Sequence, residues 1–295
     1  MTSIVIPAHN EARVIGRLLD ALLAEPGADP GVADIVVVCN GCTDDTARIA
    51  ARRPGVRVVE VPLPSKHEAL RTGDEHAKGF PRLYVDADVV IGAADVRALA
   101  GAVGDGSAVL AAAPARDLPM AGCAWSVRAY YRVWQRLPAV REGLFGRGVI
   151  AVSREGHARI AALPPLMADD LAASLAFAPG ERRVLETARV TVHPPRTWGD
   201  LMKRRVRADT SSAQLEHHQA AAAERTAASG QVPAEPPSAR TSTADLRTLL
   251  RGEPWLLPHV AVFVTAALVA RRASRKAIRR QDFGTWLRDE SSRQG

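Results

Sequence analysis

The chain has 295 residues, of which 47% are apolar and 24% charged, the ordinary balance of a globular protein with room for one α/β domain of about 200 residues and extra elements. Its net charge of +7 is carried almost wholly by arginine, since lysine stands only at 66, 78, 203 and 276; the charge is matched by no recognisable nucleic-acid module, so nucleic acid is not an expected partner. Three cysteines exclude a disulfide framework and suit a reducing compartment, and the absence of a charged segment followed by an apolar one at the start gives no expectation of a signal peptide.

In chain order, Ile4-Val5-Ile6-Pro7 reads as a buried strand, and Asn10-Glu11 opens a helix with Val14, Ile15, Leu18, Leu19 and Leu22 at helical spacing. Ile35 to Val38 is a second buried strand, followed by the turn Asn40-Gly41-Cys42-Thr43-Asp44-Asp45 and a short helix over 46–52. A strand over 56–61, a helix over 65–78 and a strand over 83–85 follow, with Asp86-Ala87-Asp88 at the end of the last. Beyond them the pattern predicts a helix over 95–104, a strand over 108–114, an aromatic-rich helix over 125–134, a glycine-rich turn over 143–148 and a strand over 149–152. Asp169-Asp170 begins a helix over 168–177, and Val190 to Val192 is a late strand before His193. Residues 213–229 are helical in composition, 230–242 read as a flexible linker, and 255–270 form an apolar stretch interrupted by Pro258 and His259 and followed by a basic run. Strands alternating with helices imply an open, mostly parallel, twisted sheet with helices on both faces, a fold in which ligands bind beyond the carboxyl ends of the strands. The expected division is a catalytic domain over 1–210, a helical or flexible linker over 211–250 and a basic, amphipathic C-terminal helical extension over 251–295 that suits a membrane surface.

The central feature is Asp86-Ala87-Asp88. Two carboxylates just past a buried strand repel each other unless a cation lies between them, and Mg²⁺ or Mn²⁺ takes one or two carboxylates together with substrate phosphates. Cys39-x-x-Cys42 is not read as a zinc or redox site, because no second ligand pair exists and the neighbouring motifs are not those of a thioredoxin. Trp125, Tyr130, Tyr131 and Trp134 stand out in a chain with 4% aromatic residues, and are open between acceptor contact and core packing.

Pro7-Ala8-His9-Asn10-Glu11, the turn at Asn40 to Asp44, Lys66 and Asp86-Ala87-Asp88 occur in order at successive strand ends, and together they resemble the family 2 glycosyltransferases of GT-A fold over roughly residues 2–210. The resemblance implies a nucleotide-diphosphate sugar donor, UDP- or GDP-linked, and a divalent metal. It places Pro7, Ala8, Asn10 and Glu11 around the nucleotide, Glu11 near the ribose, Asn40 toward the base, and Lys66 near base or phosphate. Asp88 becomes the principal metal ligand, Asp86 its assistant through ribose or metal, and His193 a third ligand. Asp170, with Asp169 second, becomes the general base of an inverting transfer. Arg204 and Arg207 suit a diphosphate clamp. The chain departs from the family at Cys39, where a base-reading carboxylate is usual, and at Arg204 and Ala208, where Gln-x-x-Arg-Trp is usual; the second departure argues against a processive synthase. The acceptor is open between a lipid-linked and a small molecule, and the expected location is cytoplasmic, with a peripheral seat on the cytoplasmic face of the membrane. Two alternatives stand beside this reading: a catalytically degenerate nucleotide-binding scaffold, and a nucleotidyltransferase, which would want a glycine-rich basic loop after the first strand.

Overall fold

The structure is a computed structural model and describes residues 1–24, 33–104, 106–164, 169–228, 240–279 and 291–293. Most of the stretch read as a flexible linker, 230–242, lies outside the described residues. In chain order the elements are β1 (Thr2–Ala8), α1 (Ile15–Leu23), β2 (Ala33–Asn40), α2 (Thr46–Ala51), β3 (Val56–Val61), α3 (Lys66–His76), β4 (Arg82–Val85), α4 (Ala93–Ala102) and β5 (Ala111–Asp117). They continue as α5 (Trp125–Trp134), α6 (Pro138–Glu142), β6 (Val149–Val152), α7 (Arg154–Ala161), α8 (Asp169–Leu175), β7 (Arg182–Thr191), α9 (Trp198–Ala228), α10 (Thr243–Gly252) and α11 (Leu257–Arg279). The chain falls into two compact units: Met1–Pro119 with Leu144–Pro164 and Ala176–His193, and Met120–Gly143 with Pro165–Leu175 and Pro194–Gly295.

The first unit holds all seven strands in one sheet of order β3-β2-β1-β4-β6-β5-β7. Strands β1 to β4 are parallel, β6 runs antiparallel to both β4 and β5, and β7 pairs parallel with β5. The continuous apolar runs of β1 and β2 follow from burial on both faces, because successive side chains point to opposite sides. Ile4, Ile6, Ile35 and Val37 join Ile15, Leu18, Leu19 and Leu22 of α1 in the main core, while Val36 and Val38 pack with Ala69 of α3 on the other face. Helix α3 approaches so closely that a Cβ on Gly73 would stand 2.2 Å from Val5 Cγ1.

Two boundaries differ from the sequence expectation here. The first helix begins at Ile15 rather than at Asn10, because Asn10 has a φ of 51° and Glu11 to Val14 form a turn. The late strand is ten residues long, Arg182–Thr191, where only 190–192 were expected. It lies at the sheet edge with four of its ten side chains exposed, and Arg182, Arg183 and Glu186 conceal the strand from a search for apolar runs.

The described elements of the second unit are helical. Tyr130 and Tyr131 of α5 are buried, and Tyr130 stacks on Phe263 of α11 with ring centroids 5.1 Å apart; of the four aromatic residues noted in the sequence, these two are core. Helix α9 runs unbroken for 31 residues through position 210, since no glycine or proline follows Gly199 within it. Helix α10, which the sequence reading folded into the linker, starts with a capping box between Ser242 and Asp245. Helix α11 carries Pro258 in its first turn, where the missing N–H costs nothing, and continues through the basic run to Arg279.

Candidate active site

The parallel strands β1, β2 and β4 end on the same side of the sheet, and their following loops are tied to one another. Past β1, Asn10 Oδ1 accepts from the Thr43 N–H at 2.8 Å and the Asn10 N–H reaches Cys42 Sγ at 3.4 Å. The Glu11 N–H donates to Thr46 Oγ1 at 2.8 Å and the Ala12 N–H to Asp44 Oδ2 at 3.1 Å. Past β2, Asn40 is buried; its side-chain amide donates to the Ala8 carbonyl at 2.9 Å, and its own carbonyl accepts from His9 Nδ1 at 2.6 Å. Gly41 is required here: its φ is 55°, and a Cβ would stand 2.8 Å from the Pro64 nitrogen. Pro7, Ala8, Asn10, Glu11 and Asn40 are thus brought together, with Asn40 and Asn10 bracing the loops. Thr43, Asp44 and Thr46 do the same work, and the sequence reading passed over their roles; the signal was the hydroxyl- and carboxylate-rich turn after Gly41.

Cys39 and Cys42 are both free thiols. Burial in the core, then the neighbouring Cys42 and the negative charges of Glu60 and Asp44, push the Cys39 thiol up to about 12, so it stays protonated and unreactive at neutral pH. Cys42 donates to the Ala8 carbonyl at 3.4 Å. The pair packs and braces the loops.

After β4, Ala87 and Val89 turn into the core at 4% and 3% exposure, which leaves Asp86 and Asp88 half-buried on the other side of the segment. Lys66, the first residue of α3, places its Nζ 2.9 Å from Asp86 Oδ1. Ser65 caps that helix by accepting from the Glu68 N–H, which fixes the lysine's starting point. The Asp86 N–H donates to the Gly148 carbonyl at 2.7 Å, so the strap before β6 sets the level of the carboxylates. Gly148 has a φ of 65°, and a Cβ there would stand 2.5 Å from Val89 Cγ1 and 3.3 Å from Asp86 Oδ2. Next to it Arg147 is buried, donates to the Pro114 carbonyl at 2.9 Å, and is lowered by burial to about 10. The sequence reading covered both only within the glycine-rich turn over 143–148 and gave neither a role.

Val90 and Thr191 form an antiparallel bridge, with N–H to carbonyl distances of 3.0 and 2.9 Å, that ties the Asp88 loop to the end of β7 and so to His193. Among the described residues no group of three or more His, Cys, Asp or Glu side chains gathers as a metal cage. Two carboxylates beside one ammonium form a donor set of hard oxygens that fits a divalent cation whose remaining ligands are phosphate and water.

The other residues singled out in the sequence belong to the second unit. Asp170 is the second residue of α8, is exposed, and accepts from the Leu171 N–H at 2.7 Å; the side chain of Asp169 lies outside the described residues. Arg204 and Arg207 are half-buried on α9. Arg205 between them pairs with Asp209 at 2.5 Å, and its guanidinium lies 5.9 Å from the Tyr130 ring centroid, so it serves the packing of its own unit.

Comparison with known proteins adds the following. A family model described as glycosyl transferase family 2 matches residues 3–150. The undecaprenyl-phosphate 4-deoxy-4-formamido-L-arabinose transferase of Edwardsiella ictaluri is 38% identical over 93 residues, covering 30% of this chain and 29% of that protein. The 4,4'-diaponeurosporenoate glycosyltransferase of Staphylococcus aureus is 37% identical over 93 residues, covering 30% and 24%. The match thus spans less than a third of the curated relatives' length. Among solved structures, a mannosyltransferase from Pyrobaculum calidifontis in complex with GDP-Man and Mn²⁺ aligns over 99% of this chain and 84% of that one, at 21% identity and a TM-score of 0.58, a likeness of fold.

Proposed function

The chain belongs to glycosyltransferase family 2, and from that premise we propose that it transfers a sugar from a UDP- or GDP-linked donor to an acceptor hydroxyl, with inversion and one residue at a time. The observation that carries the reading is the Lys66–Asp86 pair at 2.9 Å with Asp88 beside it, next to the braced loops of Asn10, Glu11 and Asn40. An ammonium facing a carboxylate at strand ends suits a diphosphate and its counter-cation. Pro7 and Ala8 would floor the nucleotide, Glu11 meet the ribose, and the Asn40 turn meet the base.

Asp86 and Asp88 would hold Mg²⁺ or Mn²⁺, which when bound stabilises the charge of the departing diphosphate. His193 stays in the proposed ligand set, and the Val90–Thr191 bridge, which ties the Asp88 loop to the end of β7, supports it. Asp170 would take the proton of the acceptor hydroxyl as that oxygen bonds to the anomeric carbon, while the bond from that carbon to the diphosphate breaks and the nucleotide leaves with the electron pair. Asp169 is the second choice for this role, and Arg204 and Arg207 would meet the diphosphate. The proposed functional division keeps the catalytic domain at 1–210, the linker at 211–250 and a membrane-surface extension at 251–295. The named activity of the Edwardsiella relative, toward undecaprenyl phosphate, supports a lipid-linked acceptor. The free thiols and the basic extension support a seat on the cytoplasmic face.

The test is calorimetric titration of UDP and GDP with and without Mn²⁺, on the wild type and on Asp88→Ala. Metal-dependent binding of one nucleotide, weakened at least about tenfold by the substitution, is expected. If neither nucleotide binds in a metal-dependent way, the degenerate scaffold is the better account.

A further inference from the structure

Helix α11 has two faces of opposite fate. Val260, Phe263, Ala266 and Ala270 recur at intervals of three and four and are buried, and the helix packs on α5 and α9. The other side is exposed, yet residues 257–270 contain no Asp, Glu, Lys or Arg. Leu257 and Leu268 are 62% and 61% exposed, with Val264 and Val269 exposed beside them. At the start of the helix Trp255 and Trp125, both about half exposed, flank His259 with ring centroids at 5.7 and 6.2 Å. Large apolar side chains in a continuous row on a surface mark a contact with something apolar.

The same helix then turns cationic. Arg271, Arg272, Arg275 and Lys276 are all exposed, and α11 contains no Asp or Glu. Indole rings at one end, leucines along the middle and a cation cluster at the other match the three chemistries of a membrane interface: headgroup level, acyl boundary and lipid phosphate.

We propose that this face of α11, with Trp125 and Trp255, is a docking surface for an anionic lipid bilayer, on which the helix lies flat in the interface. The stretch Pro254–Lys276 is by length and composition apolar enough to cross a membrane, with a mean hydropathy of 1.4 over an 18-residue window within it. A spanning helix, however, would offer lipid more than the one side left by the row of Val260 and Phe263. A second copy of the chain would bring the same cations with no acid on α11 to answer them, whereas anionic headgroups answer the whole cluster. The inference deepens the proposed seat at a membrane and rests on that reading only for its purpose, since docking is measurable without activity.

The experiment uses the full chain and sedimentation with vesicles of phosphatidylcholine alone or mixed with phosphatidylglycerol. Binding at least about tenfold tighter to the anionic vesicles, weakened by salt, is expected. Leu257→Gln with Leu268→Gln should lose at least about tenfold on those vesicles, and Arg272→Gln with Arg275→Gln should erase the preference for anionic lipid. Circular dichroism and nucleotide titration, both unchanged in the variants, show that each is folded. Absent vesicle binding, equal binding to both vesicle types, or binding that the variants leave intact overturns the proposal. So does a dimer that the leucine substitutions dissolve, which assigns the face to a second copy. Lost nucleotide binding with docking intact would instead overturn the catalytic reading alone.

Discussion

Asp34, the second residue of β2, lies at the end of the strand opposite Asn40 and fastens three segments at once. It accepts from Ser3 Oγ at 3.0 Å, from the Lys78 N–H at 2.9 Å and from Arg57 at 2.5 Å. Burial raises its pKa, but the hydrogen bonds from Lys78, Arg57 and Ser3 and the Arg57 charge together outweigh that, and the carboxyl ends below its ordinary value. A depressed folded pKa means stabilisation that is complete above the unfolded value of about 3.9 and is lost as pH falls through the folded one. Asp34→Asn should therefore cost about 2 kcal/mol in urea unfolding at pH 7, and the gap to the wild type should narrow below about pH 4. Asp170 poses a different question, because an exposed carboxylate at a helix start also fits simple interaction with the helix dipole. If it is the general base, Asp170→Asn should lower kcat by roughly 10²–10⁴-fold and leave nucleotide affinity unchanged in calorimetry; an unaltered kcat assigns the dipole role. The residue types of the candidate site were legible in the sequence. Their bracing was not: Thr43 through its N–H, Thr46 through its hydroxyl and Gly148 through its carbonyl meet Asn10, Glu11 and Asp86, partners distant in the chain, a pairing no local pattern encodes.

Among the elements, α3 is held by geometry rather than by propensity. In an exposed helix Gly→Ala gains up to about 1 kcal/mol. At Gly73 the new methyl would meet Val5 Cγ1 at 2.2 Å, in a β1 that is paired on both edges and cannot retreat. Overpacking of that kind costs about 1–3 kcal/mol, so the clash wins. Gly73→Ala should lower the urea midpoint and, because Lys66 starts the same helix, weaken nucleotide binding as well; an unchanged or raised midpoint would show that α3 can shift freely. The parallel strands were readable because burial on both faces forces unbroken apolar runs. Strand β7 and helix α10 were not, since β7 is a solvated edge strand and α10 buries none of its residues.

At the scale of the chain, removing residues 251–295 looks like the direct way to test membrane association, and the packing argues against it. Leu256, Val260, Phe263, Ala266 and Ala270 are buried, and Phe263 covers Tyr130. Losing three large apolar side chains from that core forfeits about 5–8 kcal/mol. The chain ending at 250 should therefore aggregate on size exclusion or melt at least about 10 °C lower, whether or not it binds vesicles. A truncated chain that stays monomeric with an unchanged Tm would mean that α11 contributes nothing to its unit.

The sequence by itself determined the alternation of strands and helices, the family resemblance, and the chemistry gathered at the strand ends, because each is written in local runs and short motifs. Only the tertiary structure decided which of those residues meet. It pairs Lys66 with Asp86, spends Arg205 on Asp209 and Asn40 on a loop brace, and leaves one side of α11 bare. The reason is that hydrogen bonds and burial are set by partners distant in the chain. A side chain's type fixes what it is able to do, and its neighbours in space fix which of those things it does.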